Sequence, residues 1–105
     1  MPTLLLRLAD RNDALLLRVL AGGQLWALAA LLTRYGPAVQ AHARQLGLPD
    51  PPAAVQEAFT RIARDAACAR RSPLGAREWL LLHAGRTLRS LVKPTAVHPV
   101  PQDVV

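Results

Sequence analysis

Cysteine occurs once in this chain of 105 residues, at Cys68, and methionine once, while aromatic residues make up only 4%. A lone thiol excludes an internal disulfide and leaves too few sulfur ligands for a structural zinc site, so Cys68 reads as filler of a small apolar space. With so few rings, the core has to be assembled from Leu, Ala and Val. Leu and Ala rank highest in helix propensity, and the residues that favour strands are scarce. The expectation is an all-α domain of about four helices.

Long apolar runs are also missing. The opening MPTLLLRLAD breaks at Arg7 after three leucines. That is too short for a signal-peptide core or a membrane span and leads to the expectation of a cytoplasmic protein with no membrane partner. No period of 20–50 residues recurs, which argues against a solenoid. Lysine occurs once against twelve arginines, and the formal net charge is +6. Its distribution is uneven. Residues 1–60 set Arg7, Arg11, Arg18, Arg34 and Arg44 against Asp10, Asp13, Asp50 and Glu57. Residues 61–93 set seven arginines and Lys93 against Asp65 and Glu78 alone. The excess in the second half points to an anionic partner, although arginine-rich composition by itself makes a chain basic.

Read in order, the spacing predicts a first helix over 13–21, capped by Asn12 or Asp13, with Leu16, Val19 and Leu20 inward; residues 3–9 extend it or form a separate turn. Gly22-Gly23 ends it. A long second helix over 24–46 carries the inner stripe Leu25, Leu28, Leu32, Tyr35, Val39, Ala43 and Leu46, with a bend at Gly36-Pro37. A third helix runs from Pro51 to about 69. Arg70-Arg71 form a basic loop, and Ser72-Pro73 read as cap and first residue of a fourth helix over 74–92. In that helix Trp79, Leu80, Leu82 or His83, Leu88 and Leu91 point inward. Arg77, Arg86, Arg89 and Lys93 share an outer stripe. Residues 1–93 form the domain and 94–105 a flexible, proline-rich tail.

The third helix organises the rest. Asp50 is a helix cap and Pro51 a first helical residue, where a missing N–H is harmless. Behind them Val55, Ala58, Phe59, Ile62, Ala63 and Ala66 recur at helical spacing, which leaves Gln56, Glu57, Thr60, Arg61 and Arg64 outside. No Gly-rich phosphate loop, no nucleophile with a base, and no metal-ligand spacing is present, so neither an enzyme nor a cofactor, metal or small-molecule site is expected. Trp26 and Trp79 offer stacking surfaces for bases, but Trp79 lies among Leu80, Leu81 and Leu82 and reads as core.

Three segments in order carry a resemblance. Residues 34–39 read Arg-Tyr-Gly-Pro-Ala-Val, residues 55–59 Val-Gln-Glu-Ala-Phe, and Trp79-Leu80-Leu81 follow after a short loop. Across residues 13–93 the chain resembles the second conserved region of bacterial sigma factors of the extracytoplasmic-function type. The resemblance implies that Asp50, Gln56, Glu57, Thr60, Arg61 and Arg64 face the β′ clamp of RNA polymerase. It also implies that Arg70, Arg71, Ser72, Arg77, Arg86, Arg89 and Lys93 lie near the promoter −10 element. The chain departs from the family pattern at Pro52 and Ala53, where an acidic pair is usual. It departs again at Gly85-Arg86, where Arg-Asn is usual, and at Ser90 in place of an Asp. A guanidinium donates but does not accept, so Arg86 favours phosphate contact over base reading.

Three functions follow as expectations. One is a stand-alone sigma-like transcription module, without the second helix-turn-helix domain of the family, that binds polymerase and promoter DNA. Another is a sigma-like adaptor that works by protein contact alone, with polymerase or an anti-sigma factor as partner. A third is a helical oligomer joined through Leu4, Leu5 and Leu6.

Overall fold

The computed structural model describes residues 2–92, and their side chains from residue 12 onward. The expected tail, Lys93 and the side chains of Leu4, Leu5 and Leu6 lie outside the described residues. Four α-helices make up the architecture: α1 (Pro2–Ala21), α2 (Leu25–Gln45), α3 (Pro51–Asp65) and α4 (Ala76–Leu91), with a 3-10 segment at Ala66–Arg71 between the last two. There is no strand among the described residues. The third helix packs against both α2 and α4, while α1 lies along α2 and the 3-10 segment.

The turns follow from local chemistry. Gly23 has φ of +97° and Gly47 of +76°, both in the left-handed region that glycine enters without a Cβ clash. They end α1 and α2 where the sequence puts its glycines. Asp50 caps α3: its Oδ1 accepts from the Ala53 N–H at 3.1 Å, with Pro51 and Pro52 occupying the first helical positions. The core then closes on α3, where Val55, Ala58, Phe59 and Ile62 are buried against Leu31, Leu80 and Leu88. Phe59 is the largest of the fully buried side chains, and truncating it to Ala would cost about 3–5 kcal/mol.

Several expectations need correction. Asp13 is not a cap; α1 begins at Pro2, and Asp13 lies fully buried in its interior, bonded to Arg34 and Tyr35. Leu17 is buried along with Leu20, while Leu16 and Val19 are only partly covered. The inner stripe of α2 is rotated at its start. Ala27 and Leu31 face the core, while Leu25 is 69% and Leu32 37% exposed. From Tyr35 through Val39 to Ala43 the stripe runs as expected. The helix continues through Pro37.

The end of α3 also differs. Asp65 has φ of −101° and ψ of 10°, outside the helical basin, and the chain tightens there into the 3-10 segment. Ser72 does not cap a helix. It precedes proline and is held extended, and its Oγ accepts from the Leu74 N–H at 3.1 Å, closing a small turn. Helix α4 therefore starts later, at Ala76, with Gly75 before it. In α4 His83 is turned partly inward and Leu82 stays exposed. Trp79 packs in the core.

Candidate functional site

Two surfaces bring the singled-out residues together, and they differ in character. The first is the outer face of α3. Gln56, Thr60 and Arg64 follow one another at four-residue intervals and are all exposed. The Thr60 hydroxyl donates to the Gln56 carbonyl at 2.8 Å, and Arg64 donates to the neighbouring Asp65. Glu57 and Arg61 are half-exposed and tied together, with Arg61 Nε donating to Glu57 Oε2 at 2.8 Å. The other arm of Arg61 reaches Ser90 Oγ on α4 at 3.2 Å. Asp50 is committed to its cap. Of the six residues expected on this face, Gln56 is the one whose side chain is turned to solvent and bonded to no neighbour among the described residues.

Gln56 also forms one wall of an open groove between α2 and α3, which Leu32, Gly36, Pro37, Gln40 and Pro52 help to line. The α2 side was missed in the sequence because Leu32 falls on the expected inner stripe. Its exposure, together with Pro37 beside it, gives the groove an apolar floor with amides at the edge. Such a shape accepts a helix or an extended segment through apolar anchors while polar groups fix its orientation.

The second surface is basic, and it is not one stripe. Arg70 and Arg71 are exposed on the 3-10 segment, which leans on α1. Arg77 and Arg86 are nine positions apart, about two and a half turns of helix, so they point to opposite sides of α4. Arg77 lies toward Tyr35, where its charge acts on the phenol. Arg86 faces solvent on the far side of α4. Arg89 folds back over Gly85, so that its Nη1 stands 3.4 Å from where a Cβ would be. Ser72 is spent on its own turn. The basic residues thus divide between the α1 side, with Arg70 and Arg71, and the α2 side, where Arg89 joins His42 beside an apolar hollow.

A polar clasp links the ends of these surfaces. His83 Nε2 faces Asp65 Oδ2 at 2.9 Å, and the imidazole rests on Trp79 with ring centroids 5.1 Å apart. The neighbouring Arg64 guanidinium, followed by His83, holds the Asp65 carboxyl below its ordinary range. The clasp anchors the start of the 3-10 segment to α4.

No group of three or more metal-binding side chains occurs among the described residues. None of the helices searched is long and apolar enough to cross a membrane. Compared with family models, curated proteins and solved structures, the chain matches none.

Proposed function

We propose that this chain is a sigma-like transcription module that binds the β′ clamp of RNA polymerase and contacts promoter −10 DNA. The observation that carries the proposal is the α2–α3 groove, in which the exposed amide of Gln56 borders a floor containing exposed Leu32. A macromolecular partner desolvates such a floor and exchanges the water on the exposed amide for a hydrogen bond of its own. Binding energy is the whole mechanism: apolar contact in the groove, oriented hydrogen bonds at its rim, and arginine–phosphate pairs from Arg70 and Arg71. The identity of the partner rests on the resemblance stated above, which is carried by Arg34-Tyr35-Gly36-Pro37, Gln56-Glu57 and Trp79.

The test is retention of the full chain on a β′ clamp fragment. Gln56→Ala combined with Leu32→Glu is expected to lower affinity by about tenfold or more, as loss of a central contact does. Unchanged retention would remove the groove from the contact.

One observation favours a second reading, an adaptor acting on polymerase or an anti-sigma factor without reading DNA. Arg86 and Arg89 stand apart from Arg70 and Arg71, so the basic residues do not form one continuous track for a strand. A gel shift on single-stranded −10 DNA and a scrambled strand separates the two. The transcription module prefers the −10 sequence, and the adaptor shows no preference.

A further inference from the structure

Two adjoining hollows run between α1 and the segment that follows α3. One is bounded by Arg18, Ala21, Gly22, Ala67, Arg70 and Arg71. The next extends toward Ala14 and Ser72, and Arg18 and Arg70 stand on the wall that the two share. Three arginines from two elements therefore border one hollow. All three residues are exposed, and among the described residues none is ion-paired with a carboxylate. Neither lining contains an Asp or a Glu.

The opposing charge is small. The C-terminal end of α1 carries a partial negative charge of about half a unit. Its terminal carbonyls are already engaged: Arg18 and Val19 accept from the Gly22 N–H at 3.2 and 3.1 Å, and Leu20 from the Gly23 N–H at 2.9 Å. Three full positive charges outweigh that. Positive side chains bordering one hollow have no carboxylate between them to offset their repulsion, and a bound anion supplies that offset. Arginine presents a planar fork of donors and no acceptor, the geometry that fits phosphate oxygens. The floor of Ala21, Gly22 and Ala67 has no long side chain to block close approach.

We propose that Arg18, Arg70 and Arg71 form a site for two or more adjacent phosphates, held by charge and without base recognition. Helix α1 is a full member of this site through Arg18. The site depends on the proposed function only for the source of the phosphates, which is a DNA strand in that setting and a free oligophosphate otherwise.

The experiment uses the full chain with three probes: inorganic tripolyphosphate, a short thymidine strand, and an abasic strand of equal length. The wild type is expected to bind all three, and the abasic strand as tightly as the thymidine strand. Arg18→Ala weakens all three by about tenfold and lowers the salt dependence of strand binding by about 0.7 in log–log slope, one phosphate contact. Arg18→Lys keeps the charge and loses part of the affinity, while Arg86→Ala leaves tripolyphosphate binding unchanged. Helical circular dichroism reports whether each variant is folded; alanine on an exposed helical position is not expected to disturb it.

An Arg18→Ala variant that binds as wild type, an equal loss with Arg86→Ala, or a wild type that ignores all three probes overturns the proposal. Tripolyphosphate binding that needs Arg18, in a chain that captures no polymerase, upholds the site and defeats the transcription reading. Strand binding that depends on bases and ignores Arg18 does the reverse.

Discussion

The hydroxyl of Tyr35 donates to the carboxylate of Asp13, which lies fully buried in α1, and Arg34 donates to the other oxygen of the same carboxylate. Two consecutive residues of α2 thus close on one acid of α1. Both oxygens of the buried acid are met by donors, which offsets the water it loses on burial. This pair of bonds also fixes how α2 is rotated about its axis, and so turns Ala27 and Leu31 to the core and Leu25 to solvent.

Replacing Asp13 by Asn keeps the volume and removes the charge. The amide keeps one acceptor for the donor-only Arg34, while its NH2 group turns to the Tyr35 hydroxyl, which must then accept and leave its own proton without the carboxylate. Arg34 is partly exposed and recovers water, so the loss is expected near 2 kcal/mol rather than the larger cost of stranding a fully buried charge. The urea midpoint should fall with the slope unchanged. A change of less than about 0.5 kcal/mol, the range of ordinary surface substitutions, would mean that the bonds do not contribute to stability.

Tyr35 is the only tyrosine in the chain, so its titration can be followed directly by tyrosinate absorbance. Burial, followed by the hydrogen bond to Asp13, pushes its phenol up from 10.0 to about 12. The folded state therefore holds the proton more tightly than the unfolded chain does. The associated stability is fully present below pH 10 and is lost as the pH rises toward 12. In the native protein the absorbance should rise near the upper value, and in denaturant near the lower. Coincident curves would contradict the buried bond.

Much of this arrangement is legible in the sequence, and the failures have physical causes. Gly22-Gly23, Gly47 and Asp50-Pro51 specify their turns locally, through φ and capping, and need no partner. The stripe of α3 is unambiguous because its apolar and polar residues alternate cleanly. In QLWALAALL, by contrast, almost every position is apolar, so more than one stripe is available to spacing alone. The choice among them falls to a contact between α2 and α1 that local periodicity cannot register. The same holds for Asp13, whose cap-like position hides a partner twenty-two residues on. Arg18 was passed over because it joins Arg70 and Arg71 only when α1 folds against the 3-10 segment.

The clasp of Asp65 and His83 gives a prediction at acid pH. Arg64 first and His83 second favour the charged carboxylate, so its folded pKa lies below the unfolded value. Its contribution is complete above roughly pH 4, the unfolded range for an aspartate, and disappears as the pH falls through the folded value. The gap in stability between the wild type and Asp65→Asn should close as the pH falls through the acid range. A gap that persists at the lowest pH would show that the variant acts through packing instead.

Gly85 sits buried in the middle of α4, where glycine costs about 1 kcal/mol relative to alanine because its unfolded chain is freer. Its φ is not in the left-handed region, so no backbone requirement reserves the position for glycine. A Cβ there meets only the Arg89 guanidinium, with Nη1 at 3.4 Å and Cζ at 4.0 Å. That group is the far end of a flexible, exposed side chain and can move a few tenths of an ångström at little cost. Gly85→Ala should therefore stabilise the fold by roughly 0.5–1 kcal/mol, with a corresponding rise in Tm. Phosphate binding at Arg18, Arg70 and Arg71 should not change, since Gly85 lines neither of those hollows. Destabilisation would mean that Arg89 is held over the glycine by more than its own stem, and the Gly85→Ala, Arg89→Ala double variant would then recover the lost stability.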